Sequence, residues 1–224
     1  MELPALLLAF GKSLLFTLAA VLPIVNPPAT APVFVNLTRG LSEPTRAMLA
    51  RRVGQYVVFM LGGAMLVGTY VLDFFGISLP IVRVAGGLIV ASTGWRMLHT
   101  QQVASDDKAQ MAQSLTDDHV RIQAFYPMSF PLTCGPGSIA AAITVGAALH
   151  SRQLPESLAN FAGGLAGLVL TRLAVAFTFR YAGRLLRPLG EVGLVVFLRL
   201  SAFILLCVGV QIVWNGVEEL LRGL

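Results

Sequence analysis

The chain alternates between long apolar stretches and shorter polar segments, and this pattern predicts six membrane spans. Each stretch contains about the 20 apolar residues that a helix needs to cross the hydrocarbon core of a bilayer. The first stretch runs past any cleavage site that a signal peptide would have, so we expect it to remain as the first span. The six stretches cover approximately residues 13–37, 53–72, 77–98, 122–149, 157–179 and 192–217.

Prolines interrupt the first and fourth stretches, although neither stretch contains a charge between Lys12 and Arg39 or between Arg121 and Arg152. Proline lacks a backbone donor and clashes with the preceding turn, so clustered prolines break a helix. Broken backbone at membrane depth is tolerated only where it is buried in protein or lines a cavity. We therefore predict discontinuous first and fourth helices. Three pairs of prolines are each 104 residues apart: Pro23 and Pro127, Pro27 and Pro131, Pro32 and Pro136.

These matched breaks predict two three-helix repeats, in residues 1–98 and 121–224, within a single membrane domain. The polar segment 99–120 has no sustained apolar face, so we expect it to be a cytoplasmic linker. Because each half has an odd number of spans, the second half enters the membrane from the opposite side, which makes the repeats inverted. Matched breaks in inverted halves are typical of a transporter's binding site.

Composition and charge agree with a membrane protein and give its orientation. Hydrophobic residues make up 56% of the chain, charged residues 12%, and the mean hydropathy is +0.77, so the bilayer is the relevant solvent. Ten basic residues fall in the loops after the first, third and fifth spans, and three fall on the other side. The positive-inside rule then places the linker in the cytoplasm and both termini on the opposite, outer side of the membrane. The basic residues of these loops account for the pI of 9.8, and we expect them to contact the lipid bilayer. We therefore expect no nucleic-acid partner.

The sequence contains no pattern typical of an enzyme. Gly-rich nucleotide loops, Ser/His/Asp arrangements and metal-ligand spacings of His or Cys are absent from the 224 residues, so we expect no catalytic residue, metal or cofactor. All eleven acidic residues lie in loops, at termini or at span edges. This distribution disfavours proton coupling through a membrane-buried carboxylate, with Asp73 and Glu191 as the two exceptions if either folds inward.

The two breaks carry the candidate binding residues. Asn26 before Pro27, and Gly135 before Pro136, predict that a half-helix restarts near mid-membrane in each case. Restarting helices present amide groups that favour a carboxylate, and the ends of the preceding half-helices present carbonyls that suit an ammonium group. Hydroxyls and glycines complete the predicted substrate site, which comprises Asn26, Pro27, Thr30, Thr133, Gly135, Gly137 and Ser138. The alternative is that these hydroxyls only satisfy the carbonyls of kinked helices.

Two arginines inside the spans form a second group of candidates. Arg83-Val84-Ala85-Gly86 opens the third span, and Arg199-Leu200-Ser201-Ala202 lies early in the sixth. A charge inside the membrane is a functional candidate, although long side chains near a span end also reach the interface. Because Arg83 and Arg199 correspond across the repeat, we predict that they bond the carbonyls of the opposite break or act in gating.

Several motifs in this order closely resemble the MarC family of bacterial inner-membrane proteins, which includes the SnatA-type carriers of small neutral amino acids. The resemblance covers the whole chain. It implies six helices with discontinuous first and fourth spans, and transport of glycine, alanine, serine or threonine. The motifs are Ile24-Val25-Asn26-Pro27, Phe75-Gly76-Ile77-Ser78, Arg83-Val84-Ala85-Gly86-Gly87, Gly135-Pro136-Gly137, Arg199-Leu200 and Val210-Gln211-Ile212-Val213-Trp214-Asn215-Gly216.

The sequence therefore predicts a transporter of small neutral amino acids with a mid-membrane site at the two breaks. Two alternatives remain open at this point. One is a channel or carrier for another small polar solute, and the other is a membrane component of a stress response that transports nothing. The coupling ion, the direction of transport and the oligomeric state do not follow from the sequence.

Overall fold

A computed structural model describes residues 3–38, 40–99, 124–151 and 153–222, and these ranges contain helices and no β-strand. Seven α-helices are present in them. A segment of wide turns, Ala124–Thr133, precedes the fifth helix, and a short 3₁₀ turn, Arg187–Leu189, precedes the seventh. The α-helices are α1 Leu3–Val25, α2 Pro27–Leu37, α3 Glu43–Phe74, α4 Leu79–His99, α5 Pro136–Ala148, α6 Leu154–Leu186 and α7 Gly190–Arg222.

The helices follow the six predicted apolar stretches. Within the described residues, five segments are long and apolar enough to cross a membrane, and the first of them spans α1 and most of α2. They are Leu3–Val35, Glu43–Phe74, Leu79–His99, Leu154–Leu189 and Val192–Arg222. The fourth stretch is divided between the wide-turn segment and α5, so neither part alone reaches that length. The chain is thus an all-helical, polytopic membrane protein. Most of the predicted linker, residues 100–120, lies outside the described residues.

Local sequence explains where the long helices begin and end. The Ser42 hydroxyl accepts a bond from the Thr45 amide at 3.3 Å, and Pro44 lies in the first turn of α3. At the other end, Gly76 adopts a φ of +65°, which a residue with a side chain rarely adopts. Its amide bonds the Asp73 carbonyl at 3.0 Å, so the chain turns sharply before α4.

The main hydrophobic core lies between α3 and α6, with α1 and α2 packed against it. Leu49, Val53, Val57 and Leu61 recur at helical spacing along α3 and are fully buried. The core continues into α6 and α2, where the rings of Phe179 and Phe34 stack with their centroids 4.5 Å apart. Large apolar side chains point outward elsewhere, as a bilayer requires. The core residues of α6 that are fully buried include Val175, Phe179 and Ala182.

Helices α4 and α7 form a second packing unit that depends on glycine. Gly87 and Gly94 are seven residues apart on α4, and Gly209 and Gly216 are seven apart on α7. A Cβ added at Gly87 would lie 2.8 Å from the Gly209 carbonyl oxygen. Toward the other end of α4, a Cβ at Gly94 would lie 2.9 Å from the carbonyl oxygen of Ala202. The two helices are therefore antiparallel, and small residues allow their backbones to approach closely.

Contacts between the two halves pair corresponding elements. Helices α1 and α2 pack against α6, whereas the wide-turn segment and α5 pack against α3. In addition, α3 contacts α6, and α4 contacts α7. Each broken element therefore lies against the long helix that follows the break in the other half of the chain.

Candidate functional site

The first break is a single residue, Asn26, between α1 and α2. Its φ is +44°, and its amide donates to the Leu22 carbonyl at 2.9 Å. A left-handed residue with this bond is a standard helix end, and asparagine tolerates the conformation better than most residues. The Asn26 carbonyl then accepts bonds from the amides of Ala29 at 3.1 Å and Thr30 at 3.3 Å. Asn26 therefore ends one helix and starts the next.

The prolines after Asn26 leave carbonyl groups of α1 without their usual donors. In a continuous helix, residue 27 would donate to Pro23 and residue 28 to Ile24, but both are prolines and have no N–H group. Within the described ranges, no hydrogen bond reaches the carbonyl oxygens of Ile24 or Val25. The break thus presents unpaired acceptors, as predicted.

The prediction of free amides at this first break is wrong. Pro27 and Pro28 have none, and the amides of Ala29 and Thr30 bond the Asn26 carbonyl. The Asn26 side chain also does not cap α2. Among the described residues its amide group has no hydrogen-bond partner, so its donors and acceptor are available to a ligand.

The second break begins in the wide-turn segment. Tyr126 and Phe130, each followed by proline, have extended backbones with φ of −120°. This is the conformation that a following proline favours. The Ser129 hydroxyl donates to the Ala124 carbonyl at 2.6 Å, and the Thr133 hydroxyl donates to the Met128 carbonyl at 2.7 Å. These two hydroxyls therefore satisfy freed carbonyls, which is the alternative reading of such residues, and only their lone pairs remain for a ligand.

Helix α5 restarts after Gly135 with amide groups that make no hydrogen bond among the described residues. Gly135 is extended, with φ of −89° and ψ of 179°, and Pro136 is the first helical residue, as predicted. The Ile139 amide donates to the Gly135 carbonyl at 3.2 Å. In the part of the chain that the structure describes, the amides of Gly137 and Ser138 and the Ser138 hydroxyl have no hydrogen-bond partner. This break supplies the backbone amide donors that the first break lacks.

A cavity of about 500 Å³ joins the two breaks. Six of the seven predicted substrate-binding residues line it, namely Asn26, Thr30, Thr133, Gly135, Gly137 and Ser138. Pro27 is buried at the start of α2 and is not among the lining residues. Apolar side chains form much of the remaining wall, including Ala29, Val33, Ile89, Val90, Met97 and Leu205. No carboxylate of the described residues lines it.

Gly137, one of the predicted substrate-binding residues, has a role in helix packing. The sequence alone could not show whether a glycine here is needed for packing or for the close approach of a ligand. A Cβ on Gly137 would overlap Val90 Cγ2 of α4 and would lie 3.4 Å from the Gly86 carbonyl oxygen. Ala140 lies one turn after Gly137 on α5, and a Cβ added to Gly86 of α4 would overlap its Cβ. The small residues here bring α5 against α4, so their size is already explained by helix packing.

Comparison with known proteins identifies the family. The MarC family integral membrane protein model matches residues 11–221, which is almost the whole chain. The chain belongs to the MarC family. It is 33% identical over 214 residues to the inner membrane protein MarC of Salmonella typhimurium, covering 94% of this chain and 96% of that protein. The Escherichia coli O1:K1 / APEC protein of the same name is 32% identical over 213 residues, with the same coverage. No solved structure matches the chain.

The comparison confirms the predicted family and the compartment. Relatives that the chain matches over nearly their full length are named inner membrane proteins, and the apolar helices are long enough to span a bilayer. This protein is therefore an integral inner-membrane protein.

The two predicted arginines of the MarC chain lie outside the cavity lining. Arg83 forms an ion pair with Glu219 of α7 instead of bonding the carbonyls of a break. Arg199 is exposed on α7 and has no hydrogen-bond or ion-pair partner within the described ranges. A role of either residue in gating stays a prediction.

Two polar residues that the sequence did not predict also line the cavity, Thr93 and Arg96. Both are on α4 and line the cavity together with Ile89 and Met97. The spacing of three to four residues places these positions on one helix face, which is a signal in the sequence. However, only the packing of α4 shows that this face meets the breaks. The Thr93 hydroxyl donates to the Ile89 carbonyl at 2.8 Å, so it too offers a ligand only lone pairs.

Proposed function

We propose that this MarC family protein is a carrier of small neutral amino acids, with its substrate site in the cavity between the two breaks. The observation that carries the proposal is the separation of free backbone donors and free backbone acceptors between the breaks. The α5 end offers two amides and a hydroxyl, and the α1 end offers carbonyl oxygens. A zwitterion needs both kinds of group and carries no net charge.

The substrate carboxylate would bind at the start of α5. The amides of Gly137 and Ser138 point out of the first turn, where the helix dipole is equivalent to about half a positive charge. Helix starts of this kind bind anions well. The Ser138 hydroxyl adds a third donor, and the residue is only 3% exposed, so bulk water competes weakly for it.

The substrate ammonium group would bind at the end of α1. Within the described residues, the carbonyl oxygens of Ile24 and Val25 accept no hydrogen bond, and both residues line the cavity. The side-chain oxygen of Asn26 and the Thr30 hydroxyl add acceptors nearby. Because an ammonium group has three donors and no acceptor, this surface suits it better than it suits the carboxylate.

The apolar wall limits the substrate to a small or weakly polar side chain. Ala29, Val33 and Leu205 would contact a methyl group favourably, whereas a cationic side chain would meet no carboxylate of the described residues there. Hydroxyl lone pairs of Thr93 and Thr133 can accept a bond from serine or threonine. A volume of about 500 Å³ is within the usual range for small-molecule sites.

Inverted repeats would provide the transport mechanism. The reciprocal contacts support this part of the proposal, because each broken element lies against the long helix of the other half. Transporters of this kind rock one repeat against the other around a central site. With both termini in the periplasm, the C-terminal half of α4 points toward the cytoplasm. Since the cavity runs along that half from Ile89 to Arg96, the structure would correspond to an inward-facing state.

Flux in proteoliposomes tests the function directly. Purified protein should exchange labelled alanine or glycine for unlabelled amino acid inside the vesicle, since a carrier shows countertransport. Conductance without countertransport would instead indicate a channel, and neither flux nor ligand-dependent stability would indicate a component of another process, such as a stress response.

Alanine and two analogues test how the site recognises its ligand. Alanine should raise the melting temperature, whereas alaninamide lacks the carboxylate and propionate lacks the ammonium group, so both should bind at least tenfold more weakly. Each loses a charge-assisted interaction worth about 1.5–3 kcal/mol. Equal shifts with alanine and alaninamide would contradict the proposed use of the α5 amides.

A further inference from the structure

A second cavity, remote from the breaks, lies between the start of α3 and the end of α6 and has a volume of about 530 Å³. We propose that it binds the phosphate headgroup of an anionic phospholipid. Four arginines line it, together with Glu43, Tyr181 and Gly183, and four positive charges against one negative charge leave an excess of three. The arginines are Arg46, Arg180, Arg184 and Arg187.

Three of the four guanidinium groups are available for a ligand. Arg180, Arg184 and Arg187 are exposed, and within the described ranges they have no hydrogen bond or ion pair. The guanidinium carbons of Arg180 and Arg184 lie 5.6 and 6.0 Å from the centre of the Tyr181 ring, which helps to orient them. Arginine presents its donors in a planar fork that matches phosphate oxygens.

The fourth arginine forms the back of the cavity. Arg46 donates to the Glu43 carboxylate at 3.1 Å and to the Thr38 carbonyl at 3.4 Å, and its Nε is buried without an acceptor. Because Glu43 is paired with Arg46 and the three other arginines surround the same space, a cationic choline or ethanolamine group would meet net positive charge. The cavity therefore favours a headgroup with a net negative charge over a zwitterionic one.

The surface beside the cavity indicates a lipid and not a soluble phosphate. Leu173, Phe177 and Tyr181 are spaced four residues apart on α6 and form one strip that leads to the arginines. Leu173 is 54% exposed and Phe177 58%, and both belong to a membrane-spanning helix, so these side chains can face lipid. An acyl chain can lie along this strip while its phosphate enters the cavity. Basic pockets between transmembrane helices on the cytoplasmic side bind anionic headgroups in this way.

Lipid retention by the purified protein tests the proposal. Wild-type protein, given equal amounts of dioleoyl phosphatidylglycerol and dioleoyl phosphatidylcholine, should retain the anionic lipid preferentially when examined by native mass spectrometry. Each arginine of the cavity that is changed to glutamine should reduce this preference roughly fivefold, as expected for removing one basic residue near an anionic headgroup. Arg51→Gln is the matched control, because Arg51 is exposed on α3 and does not line the cavity. It should leave the preference unchanged.

A second variant blocks the cavity without changing its charge. A Cβ at Gly183 would have no atom within 4 Å, so Gly183→Leu should fold normally and fill the space between the arginines. Its melting temperature should match the wild type, while its phosphatidylglycerol preference should fall. The Gly183→Leu variant tests lipid binding in the cavity even if the arginine-to-glutamine variants fail to fold. Inorganic phosphate in millimolar excess should not displace the lipid.

Equal retention of both lipids by the wild type would overturn the proposal. So would a Gly183→Leu variant with an undiminished preference for phosphatidylglycerol, or an Arg51→Gln variant that loses as much of this preference as an Arg184→Gln variant. Full displacement by inorganic phosphate would also overturn it, in favour of a site for free phosphate.

Discussion

The amide of Asn26 donates to the carbonyl of Leu22 at 2.9 Å while the φ of Asn26 is +44°. This relationship ends α1 in a left-handed residue and aims the next half-helix away from the first. It also separates two contributions of the same residue. The backbone conformation forms the break, whereas the side-chain amide remains unpaired within the described ranges and is free to contact a ligand.

A matched pair of variants distinguishes these contributions. Asn26→Gly accepts the left-handed conformation but removes the side chain, whereas Asn26→Ala also strains the backbone by about 1–2 kcal/mol. We therefore expect Asn26→Ala to be the less stable of the two in thermal unfolding. Both should bind alanine roughly fivefold more weakly than the wild type, because each loses a hydrogen bond worth about 1 kcal/mol. Unchanged affinity in Asn26→Gly would remove the side chain from the proposed site.

The contact between Gly137 and Val90 leads to a prediction about stability. Gly137→Ala should destabilise the protein by about 1–3 kcal/mol, because the new Cβ would overlap Val90 Cγ2. Val90→Ala removes that methyl group and leaves a small cavity, so the double variant should be more stable than the sum of the single changes predicts. Unfolding of the four proteins in a double-mutant cycle measures this coupling. Simple additivity would show that the two residues do not meet.

The binding test for this glycine depends on the same cycle. If Gly137 also allows a ligand to approach, the double variant should recover stability without recovering the alanine-dependent shift in melting temperature. Recovery of both would restrict Gly137 to a packing role.

The breaks could be predicted from the sequence because their cause is local. Proline lacks an N–H group wherever it lies, so Pro27 and Pro136 mark restarts of the helix without knowledge of the fold. The loss of donors for Ile24 could also be read from Pro28 four residues later. The use of the Ala29 and Thr30 amides by Asn26 could not, because it depends on the left-handed backbone at the break.

Other features of the site depend on packing between distant segments. Glu219 is 136 residues from Arg83, and the pairing of these residues follows from the antiparallel contact of α4 and α7. Similarly, the sequence shows that Gly137 is small but not that Val90 fills the adjacent space. Arg96 belongs to a basic segment that satisfies the positive-inside rule, and its position at the cavity appears only when α4 is placed beside the breaks.

The proposed orientation predicts which exposed positions react from each side. Gln153 and Pro188 are both exposed and lie in connections before and after α6. In a Cys207→Ser background, a membrane-impermeant thiol reagent should label Gln153→Cys in intact cells and label Pro188→Cys only after the membrane is permeabilised. This follows from the arginine excess around Pro188. The reverse pattern would place the termini in the cytoplasm.

The last prediction concerns coupling, and it follows from the absence of carboxylates from the cavity lining within the described residues. Asp73 is exposed in the last turn of α3, at the edge of its span and outside the cavity lining, so we expect no mid-membrane proton relay through its side chain. Asp73→Asn should therefore retain most of the amino acid flux, and so should Glu191→Gln at the start of α7. The measurement is alanine uptake into proteoliposomes with and without an imposed pH gradient, with Ser138→Ala as a variant that should lower alanine affinity. If Asp73→Asn binds alanine normally but loses a response to the gradient that the wild type shows, a carboxylate at the membrane edge carries the proton, and coupling does not depend on the cavity alone.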